Sequence, residues 1–170
     1  VLACGHGITK LSPMVGLDTP IVPQRGQILV TERAEPVLGM ALGTVRQTDE
    51  GTVQIGNTEE EVDFNDGTTL DAGQAMARRA VTIFPQLAGL RLIRTWGCIR
   101  VLTPDKCAIY DESEQYPGAY VATSHSGVTL AAVNARRTAK WIATGETPPG
   151  FEEFSAKRFK TDGSHVPAQH

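Results

Sequence analysis

Trp96-Gly97-Cys98-Ile99-Arg100-Val101-Leu102-Thr103-Pro104-Asp105 sets one arginine in an apolar stretch, just ahead of a Thr-Pro-Asp turn. Cys98, Ile99, Val101 and Leu102 read as a strand that should be largely buried. A guanidinium is costly to bury without an anion, so a carboxylate must meet Arg100. Two partners are open. One is Asp105 or another internal acid; the other is the carboxylate of a small ligand, which the planar fork would take through two parallel hydrogen bonds. Cys98, on the same strand face as Arg100, reads as a small apolar residue, although the nearby cation leaves thiolate chemistry open.

The next informative stretch is Thr123-Ser124-His125-Ser126-Gly127-Val128-Thr129-Leu130, which runs from a strand through a polar turn into a helix expected from Gly127. A helix start offers free N–H groups and the positive end of a dipole, which suits an electron-rich ligand. His125 reads either as a satisfied turn residue or as a ligand neighbour. Ser126 stands where an α/β-hydrolase carries its nucleophile. However, the G-x-S-x-G pattern would need glycines at Ser124 and Val128, and the only later histidines are His165 and His170. Gly5-His6-Gly7 is a glycine turn that would let a ligand approach the backbone. It is not a complete dinucleotide fingerprint, because Lys10 stands at the third glycine position.

A length of 170 residues fits one domain or a large piece of a bigger one. The net charge of −3 and scattered basic residues give no footprint for nucleic acid. The pairs Arg78-Arg79 and Arg136-Arg137 are expected on helices facing solvent. No apolar run reaches the roughly 20 residues needed to span a bilayer. Three cysteines without C-x-x-C spacing argue against a disulfide framework or zinc site and give a reducing cytoplasm as the default. Val1-Leu2-Ala3-Cys4 reads as the end of a buried strand, so the chain is read as the C-terminal part of something longer.

Short strands are predicted over residues 27–31, 40–47 and 52–57, separated by turn signals, as an antiparallel meander. Glu59-Glu60-Glu61 reads as an acidic surface turn. Thr68-Thr69-Leu70-Asp71 fits a capping box, and Leu70, Ala77, Ala80, Val81 and Phe84 keep helical spacing until Pro85. Residues 90–93 and 98–102 read as two strands, and Ile109-Tyr110 and residues 119–123 as two more. From Gly127, a broad buried helix face is predicted from Val128, Leu130, Ala131, Ala135, Ala139, Ile142 and Ala143, with Gly145 as its stop. The polar residues 160–170 are expected to form a flexible tail.

Five segments in order resemble the C-terminal half of the D-amino-acid oxidase-type FAD-dependent oxidoreductases, the group that includes glycine and sarcosine oxidases and the flavin subunits of opine and hydroxyproline dehydrogenases. Val1-Leu2-Ala3-Cys4-Gly5 resembles the family strand that closes on the flavin. Pro23-Gln24-Arg25-Gly26-Gln27 resembles P-x-R-G-Q. Residues 96–105 resemble W-x-G-L-R-P-x-T-P-D, residues 117–127 resemble P-G-L-Y-V-A-x-G-H-S-G, and residues 154–159 resemble F-x-x-x-R-F. The chain departs from these patterns at Cys98, Val101, Ala108 and Ser124.

The resemblance implies that Arg100 clamps a substrate carboxylate. It also implies that Gly5, His6, Gly7, His125, Ser126, Gly127, Val128, Thr129 and Leu130 contact FAD. In monomeric sarcosine oxidases a cysteine at the Cys98 position holds the flavin covalently, which leaves that attachment open here. The implied fold is α+β. A mostly antiparallel substrate-domain sheet over residues 17–103 would be joined to pieces of a FAD-binding α/β domain, residues 1–16 and 104–159. The implied activity is oxidation of a small amino or imino acid, with no metal. The family's G-x-G-x-x-G half lies upstream of these residues, and partner subunits of a heteromeric dehydrogenase are also implied. The alternative is a non-catalytic piece that binds a small carboxylate or regulates, having kept the fold and lost the flavin.

Overall fold

Two long strands of 12 and 11 residues and four short ones fold beside a 14-residue amphipathic run that forms the longest helix, in a computed structural model that describes residues 1–159. In chain order the elements are α1 (Ile8–Leu11), β1 (Val22–Arg33), β2 (Val45–Gln47), β3 (Thr52–Ile55), α2 (Leu70–Ile83), β4 (Leu92–Leu102), β5 (Ile109–Glu112), β6 (Tyr120–Thr123), α3 (Ala131–Val133) and α4 (Ala139–Thr144). The architecture is α+β with mainly antiparallel sheets, as expected. The tail expected over residues 160–170 lies outside the described residues. The chain divides into two compact units: Pro23–Arg100, and Val1–Val22 with the described residues from Val101 onward.

In the unit Pro23–Arg100 the sheet order is β2-β3-β1-β4. This is not the sequential meander expected, because β3 pairs antiparallel with both β2 and β1 and so lies between them. The register slips between Val30 and Arg33. At the slip the Thr31 hydroxyl takes the amide of Val53 at 3.0 Å, so a side chain satisfies that buried donor. One face of the sheet presents Leu29, Val45, Val53 and Ile55 to Met76 and Ala80 of α2 and to Leu87. Met76 and Ala80 are four residues apart, which places them on one stripe of the helix.

Several expectations for this unit are corrected. The strand expected from residue 40 begins only at Val45, and Met40 is exposed. Leu70 does not join the buried stripe of α2: it is 77% exposed, because it opens the helix ahead of the first turn that meets the sheet. The capping box does not form either. Thr69 is the N-cap without a side-chain cap bond, and its hydroxyl accepts from Gln27 Nε2 at 3.2 Å instead. Residues 90–93 and 98–102 are not two strands; Trp96 and Gly97 carry β4 through without a break. The strand is also less buried than expected, with residues 92–96 and Cys98 exposed, because β4 is the last strand in the sheet order.

Gly97 has a packing reason to be glycine. A Cβ there would fall 2.5 Å from the Asp66 carbonyl oxygen and 2.9 Å from that of Gly67. Backbone atoms cannot swing aside as a side chain can. Gly97→Ala should therefore destabilise the full-length protein by about 2 kcal/mol, read as a lower denaturation midpoint.

In the other unit, β5 and β6 form an antiparallel pair with Ile109 opposite Thr123 and Glu112 opposite Tyr120. Alternation splits the pair into two faces. Ile109 and Val121 pack with Ile8, Leu17 and Ala156. Tyr110 and Tyr120 pack on the other side with Ala108, Trp141 and Phe151. There Tyr110 stacks on Phe151 with ring centroids 4.8 Å apart, and Tyr120 meets Trp141 edge-on at 4.8 Å. The strand expected at Val1–Cys4 is only a single parallel bridge, Leu2 with Val121, and Val1 is exposed.

The C-terminal helical stretch also differs from expectation. Residues 125–130 form turns, and the helix starts at Ala131 rather than Gly127. A π segment, Asn134–Thr138, separates α3 from α4 and adds a residue to the turn, which rotates the buried face. Thr138 and Trp141 are buried, whereas Val128, Ala131, Ala135, Ala139 and Ala143 of the expected face are exposed. Gly145 stops the helix as expected, in the left-handed region at φ 73°, with its amide on the Trp141 carbonyl at 2.7 Å.

Candidate functional site

Arg100 is half-buried near the end of β4, beside the Gln24–Gln27 segment of β1. Alternation along β1 puts Gln24 and Gly26 on one face and Arg25 and Gln27 on the other. Arg100 Nη1 donates to Gln24 Oε1 at 3.1 Å. Its guanidinium lies over Gly26, where an added Cβ would come within 2.7 Å of Cζ and 3.2 Å of Nε. No ion pair joins Arg100 to a carboxylate among the described residues.

The internal partner considered for Arg100, Asp105, is engaged elsewhere. Asp105 receives Arg158 Nε at 2.7 Å, the Cys107 amide at 3.0 Å and the Thr103 hydroxyl at 3.0 Å. Burial alone would raise this carboxyl. Arg158, the Cys107 amide and Thr103 together outweigh burial and hold it below its ordinary range. The Thr-Pro-Asp turn is thus a closed structure of its own.

The opposite face of β1 carries a charged network that the sequence does not announce. Arg25 is buried and pairs with Glu60 at 2.6 Å. Gln27 Nε2 donates to the same carboxylate at 2.7 Å, and the Thr58 hydroxyl donates at 2.5 Å. Gln27 Oε1 also accepts the Thr69 amide at 2.9 Å, so one side chain ties β1 to the start of α2. Hydrogen bonding to Arg25 is the main reason the Glu60 carboxyl is held down at about 2; burial opposes it, and Thr58 and Gln27 reinforce it. The acidic run over residues 59–61 is therefore not only a surface turn, because Glu60 neutralises a buried arginine. A spacing of 35 residues between the partners left no local signal for this.

The other expected contacts lie in the second unit. Gly5–Gly7 is a 3₁₀ turn in which Gly5 takes φ +58°, and His6 is half-buried. His125, Ser126, Gly127, Val128 and Thr129 are exposed and Leu130 is half-buried. The Ser126 hydroxyl is 3.5 Å from His125 Nδ1. Leu2 donates to the Tyr120 carbonyl at 2.7 Å and accepts from Ala122 at 3.1 Å. This bridge is parallel, so the two segments run on from it in the same direction, one toward the Gly5 turn and the other toward the His125 turn. Carboxyl ends of parallel strands are where α/β sheets take ligands.

The His125 turn is closed by Leu130 N to Ser126 O at 2.9 Å and Ala131 N to Val128 O at 3.2 Å. The amides of Val128 and Thr129 find no acceptor among the described residues, and the Val128 side chain is 95% exposed. Donors left open in this way fit an electron-rich ring or a phosphate. Beyond this turn lies a cavity of about 580 Å³, lined by Tyr110, Leu130, Val133, Phe151 and Phe154, with Ser126 and Arg137 also at its wall. No group of metal-ligating side chains occurs among the described residues, and no described helix is long and apolar enough to cross a membrane.

The family profile described as DAO, FAD dependent oxidoreductase, matches residues 1–141. The chain belongs to this family. An opine oxidase subunit of Agrobacterium tumefaciens (strain Ach5) is 44% identical over 159 residues, covering 94% of this chain and 43% of that protein. Glycine oxidase of Pseudomonas aeruginosa is 27% identical over 154 residues, covering 87% of this chain and 42% of the relative. The chain thus spans less than half the length of these curated relatives. In structure it is similar to L-proline dehydrogenase from P. horikoshii, with a TM-score of 0.80 at 23% identity, over 93% of this chain and 46% of that one. That likeness identifies the fold, a part of the DAO architecture. The family uses FAD, and its glycine-rich dinucleotide motif does not occur in the 170 residues.

Proposed function

We propose that the protein containing this chain oxidises a small amino or imino acid with FAD. In this reading Arg100 binds the substrate carboxylate, and Gly5, His6, Gly7 and residues 125–130 hold the cofactor. The observation that carries it is the state of Arg100: half-buried, resting on a glycine, hydrogen-bonded to a neutral amide and unpaired with any described carboxylate. A guanidinium held this way keeps its charge for an incoming acid.

FAD, when bound, supplies the two-electron acceptor that takes hydride from the substrate C–H as the amine becomes an imine. The residues of this chain bind and orient. Arg100 would fix the acid end of the substrate, so that the reacting carbon is presented in one pose and orientation contributes to rate. The open amides of Val128 and Thr129 would stabilise negative charge on the reduced ring. Residues 1–16 and 104–159 would belong to the FAD-binding portion and residues 17–103 to the substrate portion. The rest of the cofactor site, with the glycine-rich motif, would lie on sequence beyond these 170 residues. The names of the relatives, an opine oxidase subunit and a glycine oxidase, support the substrate class and a heteromeric assembly.

The test is anaerobic mixing of the purified full-length protein with a panel of small amino and imino acids. Bleaching of the flavin's visible absorption band by at least one of them is expected. A full-length protein that carries no flavin, yet binds small carboxylates, would replace this reading with a binding or regulatory one.

A further inference from the structure

The guanidinium of Arg100 is placed by two residues of the neighbouring strand, and each leaves its charge intact. Gln24 and Gly26 are two apart on β1 and so share the face that meets Arg100. Gly26 supplies a floor: Cζ and Nε would come within 2.7 and 3.2 Å of any Cβ at that position, so the plane of the fork rests where a side chain would otherwise stand. Gln24 supplies an edge, taking one of the five N–H donors of the fork on its amide oxygen. A guanidinium can only donate, which fixes the oxygen of the Gln24 amide toward Arg100.

The choice of an amide at position 24 matters chemically. A carboxylate there would bind the same N–H more tightly and neutralise the fork, in direct competition with a substrate acid. An alkyl group of similar length would leave the fork free to turn about its last side-chain torsions. Glutamine alone among these orients the cation without satisfying it. The strand that carries Gln24 is itself anchored from its other face, where Arg25 and Gln27 are tied to Glu60 and Thr69.

We propose that Gln24 is a positioning residue for carboxylate recognition, setting the orientation of the Arg100 fork over Gly26 while keeping its charge available. The proposal rests on the reading that Arg100 binds the substrate acid. Gln24 touches neither substrate nor cofactor in this scheme and acts through Arg100.

The test uses the full-length flavoprotein and its Gln24→Leu, Gln24→Glu, Gly26→Ala and Arg100→Met variants. The probe is acetate, with binding followed as a perturbation of the flavin spectrum, alongside KM and kcat for the best substrate. Gln24→Leu and Gly26→Ala should each raise the acetate dissociation constant and the substrate KM about tenfold, with kcat changed much less. Gln24→Glu should weaken acetate binding further, by about a hundredfold, while its thermal midpoint stays at or above that of the parent, because the new carboxylate pairs with Arg100. A purely structural role predicts the reverse order, with glutamate the milder change, and that order would overturn the proposal. Parental acetate affinity in both Gln24 variants would overturn it too. If Arg100→Met alone loses acetate, only the positioning role fails; if Arg100→Met also binds acetate normally, the carboxylate-clamp reading fails with it.

Discussion

Arg100→Met should lower kcat/KM for the amino- or imino-acid substrate by about a hundredfold while leaving the fold and the flavin in place. The size follows from removing one partner of a charge pair formed in a partly desolvated site, which costs on the order of 3 kcal/mol. The fold should tolerate the change, because among the described residues the Arg100 side chain hydrogen-bonds only Gln24 and carries no ion pair. Arg100→Lys should recover only part of the loss, since an ammonium is a point charge and cannot present two parallel donors to a carboxylate. The measurement is the rate of flavin reduction against substrate concentration, repeated with the methyl ester of the same substrate. The parent should prefer the free acid strongly and Arg100→Met should not. A variant that keeps both its rate and its preference for the acid would remove Arg100 from the site.

Glu60→Gln should destabilise the full-length protein by about 3 kcal/mol, the usual cost of stripping the counter-charge from a buried ion. Arg25 is 5% exposed and would keep its charge with only neutral partners left. The effect should depend on pH in a definite direction. The Glu60 carboxyl is lowered from 4.5 to about 2 in the folded chain, so its contribution is complete above pH 4.5 and declines as pH falls toward 2. The gap in stability between parent and Glu60→Gln should therefore be widest near neutrality and narrow on acidification through that window. Denaturant titrations at a series of pH values measure it. A gap that stays constant from pH 7 to pH 3 would mean that the ion pair is not what the substitution removes.

Both substitutions act on residues whose partners lie far away along the chain, and this bears on what could be read without a structure. Arg100 was legible because a lone charge among Cys98, Ile99, Val101 and Leu102 breaks a strand pattern and demands an anion. Its actual neighbour, Gln24, was not legible, because the pairing joins positions separated by 76 residues. Glu60 looked like one of three surface acids for the same reason. The helix after Gly127 shows a different limit. Its apolar residues repeat at α spacing, but the π segment at Asn134–Thr138 shifts the phase, and the aromatic cluster around Trp141 takes the face instead. Local spacing cannot register a turn whose cause is packing. The Asn134 side chain, which accepts the Tyr110 hydroxyl at 2.9 Å and the Thr138 hydroxyl at 3.2 Å, belongs to that packing.

Legible from the chain alone were the amphipathic helix that ends ahead of Pro85, the Gly145 stop, the family motifs and the isolation of Arg100. Each of these is written in residues close along the chain, where side-chain period, backbone freedom and burial cost act locally. It took the folded chain to set β3 between β2 and β1, to give Asp105 to Arg158 and Glu60 to Arg25, and to rest Arg100 on Gly26 against Gln24. Those outcomes depend on which strand lies beside which, and strand order is settled by how the apolar faces of the whole chain find cover together rather than by any single segment.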